Sequence, residues 1–300
     1  MIKKFLKYVE IQTKITSTFT FMLTLSFLFY MKQTIDWKLT LVFFGSMFLF
    51  DLTTTAINNY IDTKDNDQQL QFKRSTALAI IYVLLGVSIL LGLYLAFLTD
   101  IVILLIGGIC FLCGIFYTFG PIPISRQPLG EILSGFFYGM AIPFIIMYIN
   151  MPGDSFVLLD ISMNTITLEL KVIPILILIL FGITPFCVTA NIMLANNICD
   201  LEKDIQVKRH TLPYYIGDKS LYLFAGLYYL TYLSTILMVI LKIISPVFLL
   251  SLITLFPVQK NIKLFLDKQD KETTFILAIK NFILIMGTNT IVLLLCGFIT

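Results

Sequence analysis

Residues 171–204 read KVIPILILILFGITPFCVTANIMLANNICDLEKD. The first part, Lys171 to Asn197, is apolar for long enough to cross a bilayer core as a helix, which takes about 20 residues. It ends in a dense polar cluster: Asn196, Asn197, Asp200, Glu202 and Asp204. Composition extends that reading to the whole chain. The 300 residues are 58% hydrophobic and 13% charged, against roughly 25% charged in a soluble domain. Mean hydropathy is +0.92. A soluble fold of this size needs far more charged surface, so soluble enzymes, nucleic-acid binders and disordered scaffolds are excluded. The fold class expected is all-α: a polytopic membrane protein, with residues 1–300 as one transmembrane domain.

Nine apolar runs are candidate spans, at about 15–31, 39–60, 76–98, 101–120, 130–150, 171–197, 220–241, 244–258 and 275–299. The eighth is short and ends near Pro257, and only Thr99 and Asp100 separate the third from the fourth. If the short run does not cross, the count is even. Lys3, Lys4 and Lys7 precede the first run with no small-residue cleavage site after it, so no cleavable signal peptide is expected. Basic residues set the orientation. With nine spans and a cytoplasmic N-terminus, 17 of the 21 Lys and Arg residues face the cytoplasm; only Lys32, Lys38, Lys171 and Lys242 do not. The net charge of +3 then describes a basic rim facing anionic lipid and calls for no nucleic-acid partner. The expected location is the cell membrane, multi-pass, with the N-terminus and the polar clusters cytoplasmic. Of five cysteines, Cys110 and Cys113 form a C-x-x-C inside an apolar run and read as packing residues. The one histidine, His210, leaves little for Ser-His-Asp chemistry or a multi-histidine metal site.

Two acidic clusters fall at cytoplasmic ends of spans, where carboxylates near membrane depth need a reason. The first is Asn58-Asn59-Tyr60-Ile61-Asp62-Thr63-Lys64-Asp65-Asn66-Asp67. On a continuing helix Asn58, Asp62 and Asp65 share a face, with Asp51 on the same stripe deeper in the membrane. In the second, Asp200 and Asp204 stand four apart, and Asn196 and Asn197 border them. Carboxylates so stacked repel unless a cation lies between them. Oxygen ligands, few per helix, suit Mg²⁺, which keeps its waters and is completed by substrate phosphates. Lys73 and Arg74 follow the first cluster and Lys208 and Arg209 the second. Asp, Mg²⁺ and Lys or Arg together make a diphosphate clamp.

A third stretch lies on the same side: Tyr117 to Glu131, YTFGPIPISRQPLGE. Arg126 is a candidate diphosphate contact or a rim anchor. Glu131 either orients a neighbour or favours its helix N-terminus. Pro143, Pro174, Pro185 and Pro246 fall within spans and suggest kinks around a central cavity. The 27 phenylalanines suit lipid contact, core packing or the lining of an apolar tunnel alike.

These motifs resemble the UbiA superfamily of intramembrane prenyltransferases. NNYIDTKDND is similar to its first aspartate-rich motif and NNICDLEKD to its second. The run Lys208 to Gly217, KRHTLPYYIG, together with Tyr117 to Glu131, resembles the 1,4-dihydroxy-2-naphthoate prenyltransferase (MenA-like) branch. Asn59 and Asn66 stand where that pattern has Asp, so Asp65 or Asp67 takes the third carboxylate role. The Arg-Pro-x-Thr-like segment of many relatives is reduced to Glu10-Ile11-Gln12-Thr13-Lys14. The resemblance implies about nine helices around a cavity, Mg²⁺ as cofactor, and a polyprenyl diphosphate and an aromatic acceptor as substrates. It implies Asp62, Asp200 and Asp204 as catalytic residues, with Asn58, Asp65 and Asn197 as further metal ligands. Lys73, Arg74, Tyr117, Arg126, Lys208 and Arg209 would bind the diphosphate. Ionisation of the allylic C–O bond lets the ring attack through carbon; dihydroxynaphthoate, losing its carboxylate, would lead to demethylmenaquinone by way of its quinol. Another aromatic acceptor of the 4-hydroxybenzoate kind is the alternative. A secondary transporter with Asp51, Asp62, Asp200 and Asn289 as a midplane ion site is a further one, although it needs no trailing basic pairs.

Overall fold

The computed structural model describes residues 1–63, 69–120, 123–153 and 155–299. In chain order the helices are α1 (Ile2–Tyr8), α2 (Ile15–Tyr30), α3 (Trp37–Asp62), α4 (Arg74–Leu98), α5 (Ile101–Thr118), α6 (Gly130–Phe136) and α7 (Ile142–Asn150). They continue with α8 (Val172–Cys199), α9 (Leu201–Gln206), α10 (Leu212–Ile216), α11 (Lys219–Ile240), α12 (Leu255–Asp267) and α13 (Phe275–Ile299). A π turn, Phe137–Ala141, joins α6 to α7, and a 3₁₀ helix, Pro246–Thr254, runs into α12. Strands β1 (Val157–Ile161) and β2 (Ile166–Leu170) pair as a hairpin closed by Ser162 and Thr165. That hairpin lies in the connection between the fifth and sixth apolar runs.

Among the described residues, eight helical segments are long and apolar enough to cross a membrane, one fewer than the nine expected. The first apolar run is the one that falls short. Its helix, Ile15–Tyr30, has 16 residues, about 24 Å of rise against a core of about 30 Å. The doubtful eighth run is longer than it looked. Pro246 sits in the first turn of the 3₁₀ helix, and Pro257 sits in the first turn of α12, where a missing N–H costs nothing. The segment therefore continues as 22 residues, Pro246–Asp267, and the greater rise of its 3₁₀ part carries it about 38 Å.

The chain forms two compact units. The first comprises Met1–Thr18, Ile35–Pro123 and Tyr148–Glu169; the second comprises Phe19–Thr34, Ile124–Met147 and Leu170–Thr300. In the first, α3 and α4 are locked by a reciprocal pair of bonds, Ser46 Oγ to the Ser88 carbonyl at 2.9 Å and Ser88 Oγ to the Ser46 carbonyl at 2.7 Å. Tyr8 is fully buried and donates to the carbonyls of Ala56 and Ala77, docking α1 on α3 and α4. Asp100 decides the tight α4–α5 boundary: its carboxylate accepts from the amides of Val102 and Ile103 and from the Tyr148 hydroxyl.

In the second unit α8 is the central element, packed by α6, the π turn, α11 and α13. Pro143 cannot donate to the carbonyl of Gly139 four residues earlier, and the helix widens into its π turn there. A Cβ on Gly182 would stand 2.4 Å from that Gly139 oxygen, and one on Gly139 would stand 2.5 Å from the backbone of Phe186. Backbone meets backbone, so nothing flexible can give way. Gly139→Ala or Gly182→Ala should lower stability by about 1–3 kcal/mol, as overpacking does. A thermal midpoint in detergent unchanged from the parent protein would reject that close approach.

Candidate active site

The first acidic cluster closes α3 in the first unit. Asp62 is the last residue of the helix, and Asn58 lies one turn back on the same face. A helix end leaves carbonyls without partners, and here Arg74 takes them. Its guanidinium donates to the Tyr60 carbonyl at 3.1 Å and the Thr63 carbonyl at 3.0 Å, and it lies 5.2 Å from the centre of the Tyr60 ring. Arg74 therefore fastens α4 to the end of α3, work that its expected place beside a diphosphate did not include. Lys73, just before α4, is exposed. Asn58 Oδ1 accepts from the Thr118 hydroxyl at the end of α5, the helix that also carries Tyr117 one residue earlier. Asn59 turns away. Its amide donates to the Tyr8 carbonyl at 2.9 Å and to Glu10 at 3.1 Å, pinning the N-terminal segment. Asp65, like Lys64, Asn66 and Asp67, lies outside the described residues, so the third ligand of this cluster has no placement.

The second cluster belongs wholly to the second unit. It is not one continuous helix: α8 stops at Cys199, Asp200 is the joint, and α9 begins at Leu201. The i to i+4 bond survives across the joint, from the Asp204 amide to the Asp200 carbonyl at 2.9 Å. Lys208 closes α9 in a left-handed conformation, φ 57°. The Arg209 amide then reaches the Asp204 carbonyl at 2.8 Å, and its guanidinium stands 4.0 Å from the Asp204 carboxylate. Burial pushes the Asp204 carboxyl above its ordinary range, and the Arg209 charge offsets only part of that rise. The His210 amide donates to the Arg126 carbonyl at 3.1 Å, so the Arg126 turn lies against the segment that follows Asp204.

Two partners were not legible in the motif. Asn197 donates from Nδ2 to Glu131 Oε1 at 2.8 Å, which fixes the amide so that its carbonyl oxygen faces away from Glu131. Glu131 itself is buried, and its other oxygen has no hydrogen-bond partner among the described residues. Lys271, from the α12–α13 connection, donates to both Asn196 Oδ1 and Asp200 Oδ2. The place of Glu131 at the start of a span on the cluster side, where it could orient a neighbour, hinted at the first. For Lys271 the only hint was its place among the cytoplasmic basic residues.

Among the described residues, no three His, Cys, Asp or Glu side chains gather as a self-sufficient metal cage. What each cluster presents is amide and carboxylate oxygen: Asn58 and Asp62 in one, Asn196, Asn197, Asp200 and Asp204 in the other. That donor set suits Mg²⁺, which takes one or two carboxylates and leaves the rest to water and phosphate. A positive group already sits on the oxygens of Asn196 and Asp200, the ammonium of Lys271.

The profile of the UbiA prenyltransferase family matches residues 18–284. The chain belongs to the UbiA prenyltransferase family. That span runs through both units without a break. This prenyltransferase is 29% identical over 232 residues to 1,4-dihydroxy-2-naphthoate octaprenyltransferase of Bacillus subtilis (strain 168), a match covering 73% of this chain and 68% of that one. Its fold is shared with a digeranylgeranylglyceryl phosphate synthase at a TM-score of 0.64 and 17% identity, covering 100% and 99% of the two chains. A UbiA homologue from Aeropyrum pernix K1 in its apo form gives 0.60 at 13% identity, covering 94% and 97%. A UbiA homologue from Archaeoglobus fulgidus, bound to DMAPP and Mg²⁺, gives 0.60 at 14%, covering 99% and 98%. The protein is thus an all-α, multi-pass membrane enzyme that transfers prenyl groups.

Proposed function

We propose that this prenyltransferase joins a polyprenyl group from polyprenyl diphosphate to 1,4-dihydroxy-2-naphthoate with Mg²⁺ as cofactor, the prenylation step of (demethyl)menaquinone formation, acting as one domain over residues 1–300. The observation that carries the chemistry is the second cluster, where Asn197, Asp200 and Asp204 present hard oxygens beside the Arg209 cation. The acceptor is supported by the Bacillus subtilis relative and by the Thr211-Leu212 and Tyr117–Glu131 motifs. Asn58 and Asp62, with Asp65 if it reaches them, would hold metal at the first cluster; Asn197, Asp200 and Asp204 would do so at the second. When bound, Mg²⁺ supplies charge that makes diphosphate a better leaving group.

The residues of this chain do the rest. Asp62, Asp200 and Asp204 hold negative charge where cations must gather. Glu131 keeps the Asn197 carbonyl oxygen turned toward the ligand side. Arg209, Lys208, Arg126, Tyr117, Lys73 and, at the α3 end, Arg74 supply donors for the outer phosphate oxygens. The allylic C–O bond breaks with its electron pair leaving on diphosphate. The acceptor ring then forms the new C–C bond, and its carboxylate departs as CO₂ to leave demethylmenaquinol. Apolar walls keep water from trapping the allyl cation.

Orientation follows the basic residues: the N-terminus and both clusters face the cytoplasm, and α2 crosses although it is short. Incubating purified protein with labelled polyprenyl diphosphate, Mg²⁺ and either dihydroxynaphthoate or 4-hydroxybenzoate tests the assignment. Labelled product with dihydroxynaphthoate, abolished by a chelator, is expected; product with 4-hydroxybenzoate alone would move the enzyme to another branch.

The basic clamp makes a separate expectation. Arg209→Gln should lower kcat/KM for polyprenyl diphosphate about tenfold or more, the worth of a hydrogen bond to a charged group, while the acceptor KM changes little. Arg74→Gln should in addition lower stability, because its guanidinium holds the α3 carbonyls. Kinetics of Arg209→Gln matching the parent enzyme would reduce that residue to a rim anchor.

A further inference from the structure

The connection between α12 and α13 is short and held rigid by its own side chains. Asp270 Oδ1 accepts from the Thr273 amide at 2.8 Å, the Thr273 hydroxyl at 2.6 Å and the Glu272 amide at 3.2 Å. Thr274 Oγ1 accepts from the Asp270 amide at 2.8 Å and lies 2.9 Å from the Lys268 carbonyl. Gln269 caps the end of α12 by donating to the carbonyls of Phe265 and Leu266. One side chain leaves this turn toward the second acidic cluster. Lys271 places its ammonium on Asp200 Oδ2 and Asn196 Oδ1, and the same ammonium lies 4.8 Å from the centre of the Phe275 ring. Lys271 and Asp200 are both only part-exposed, 35% and 21%, so the pair is less screened than an open surface bridge. The flexible stem of Lys and the nearby aromatic face give this ammonium a second resting place once the carboxylate is taken.

We infer that Lys271 is the resident counter-charge of the second acidic cluster, a positioning residue that occupies Asp200 and Asn196 until a divalent cation displaces it and then adds its charge on the diphosphate side. The inference rests on the reading of Asp200 as a metal ligand. A tethered cation of this kind limits self-repulsion between Asp200 and Asp204 in the empty enzyme. It also competes with Mg²⁺ for one carboxylate, and it joins Arg209 once phosphate arrives. Its loss should therefore act in opposite directions on the two ligands. A residue serving only to brace the fold would weaken both or neither.

The test measures binding to purified full-length protein by calorimetry, first with Mg²⁺ alone, then with inorganic pyrophosphate at saturating Mg²⁺. Lys271→Met and Lys271→Gln should bind Mg²⁺ about five-fold more tightly and Mg-pyrophosphate about five-fold more weakly, the scale of one partly screened ion pair. Lys271→Arg should stay near the parent protein in both. Asp200→Asn serves as the control and should weaken Mg²⁺ binding. If Asp200→Asn leaves Mg²⁺ affinity unchanged, the ligand reading beneath the inference fails. If Asp200→Asn weakens Mg²⁺ while the two neutral Lys271 variants match the parent protein, or weaken both ligands together, the counter-charge role is overturned. Thermal midpoints of the metal-free variants separate a binding effect from misfolding: should the Met variant unfold, the Gln variant, which keeps a hydrogen bond to Asp200, decides the matter.

Discussion

Asp204→Asn is expected to reduce prenyl transfer by about 100-fold or more, since a metal ligand supplies several kcal/mol of charge stabilisation to the departing diphosphate. The protein should remain folded. Asp204 has its amide on the Asp200 carbonyl and its carbonyl on the Arg209 amide, and an amide side chain of the same size leaves both backbone bonds in place. The carboxylate is buried next to one guanidinium, so the substitution removes negative charge without exposing apolar surface. Asp62→Asn should behave alike, because its position at the end of α3 spares the helix from depending on its charge. Steady-state rates at limiting and saturating Mg²⁺ check both variants. Near-normal turnover at limiting Mg²⁺ would strike the substituted residue from the ligand set. Asp65→Asn and Asp67→Asn, assayed in parallel, decide which carboxylate completes the first cluster.

The largest stability effect should come from a different place, the junction of the N-terminal segment with α3. Lys14 is buried, and its ammonium donates to Asp51 Oδ1 at 2.8 Å, the Asp51 carbonyl at 2.8 Å and the Thr55 hydroxyl at 2.5 Å. Ser17 donates to the other Asp51 oxygen at 2.7 Å. Every donor on the Lys14 ammonium is used, and both carboxylate oxygens are engaged. Lys14→Met would leave a buried carboxylate without its counter-ion, a loss of about 3–5 kcal/mol. Asp51→Leu would strand the ammonium at a similar cost. The double variant Lys14→Met/Asp51→Leu should recover much of the loss, since two apolar groups of similar size replace a pair whose desolvation was expensive. Unfolding midpoints of the three proteins in the same detergent decide it. Equal midpoints for single and double variants would mean that each charge is held by something other than its partner.

The spans were legible because each is a local matter. A long apolar helix satisfies its own backbone in hydrocarbon, so the limits of α4, α8, α11 and α13, and of α6 to α7 taken as one segment, fall within two residues or so of the apolar runs. The two exceptions also have local causes that a count of apolar residues does not weigh. In the first run the helix is simply short. In the eighth, Pro246 and Pro257 look like breaks but occupy first-turn positions where proline is tolerated. The hairpin was missed because its exposed, alternating Ile166–Leu170 strand has no partner until Val157–Ile161 folds back on it.

Hydropathy and motif spacing act over one or two turns, so the membrane fold, the approximate spans, and the asparagine, aspartate and arginine residues at their ends can be read along the chain. What those residues touch is set by long-range packing, which the folded structure reveals. Lys271 meets Asp200 from 71 residues away, Glu131 meets Asn197 from 66 and Lys14 meets Asp51 from 37. It also decided that the second cluster breaks at Asp200 instead of continuing one helix, and that Arg74 caps α3. These contacts depend on which helices pack together and at what depth. That choice is made by close approaches such as Gly139 on Phe186, where shape and backbone geometry rule and residue type along one segment carries no record of the partner.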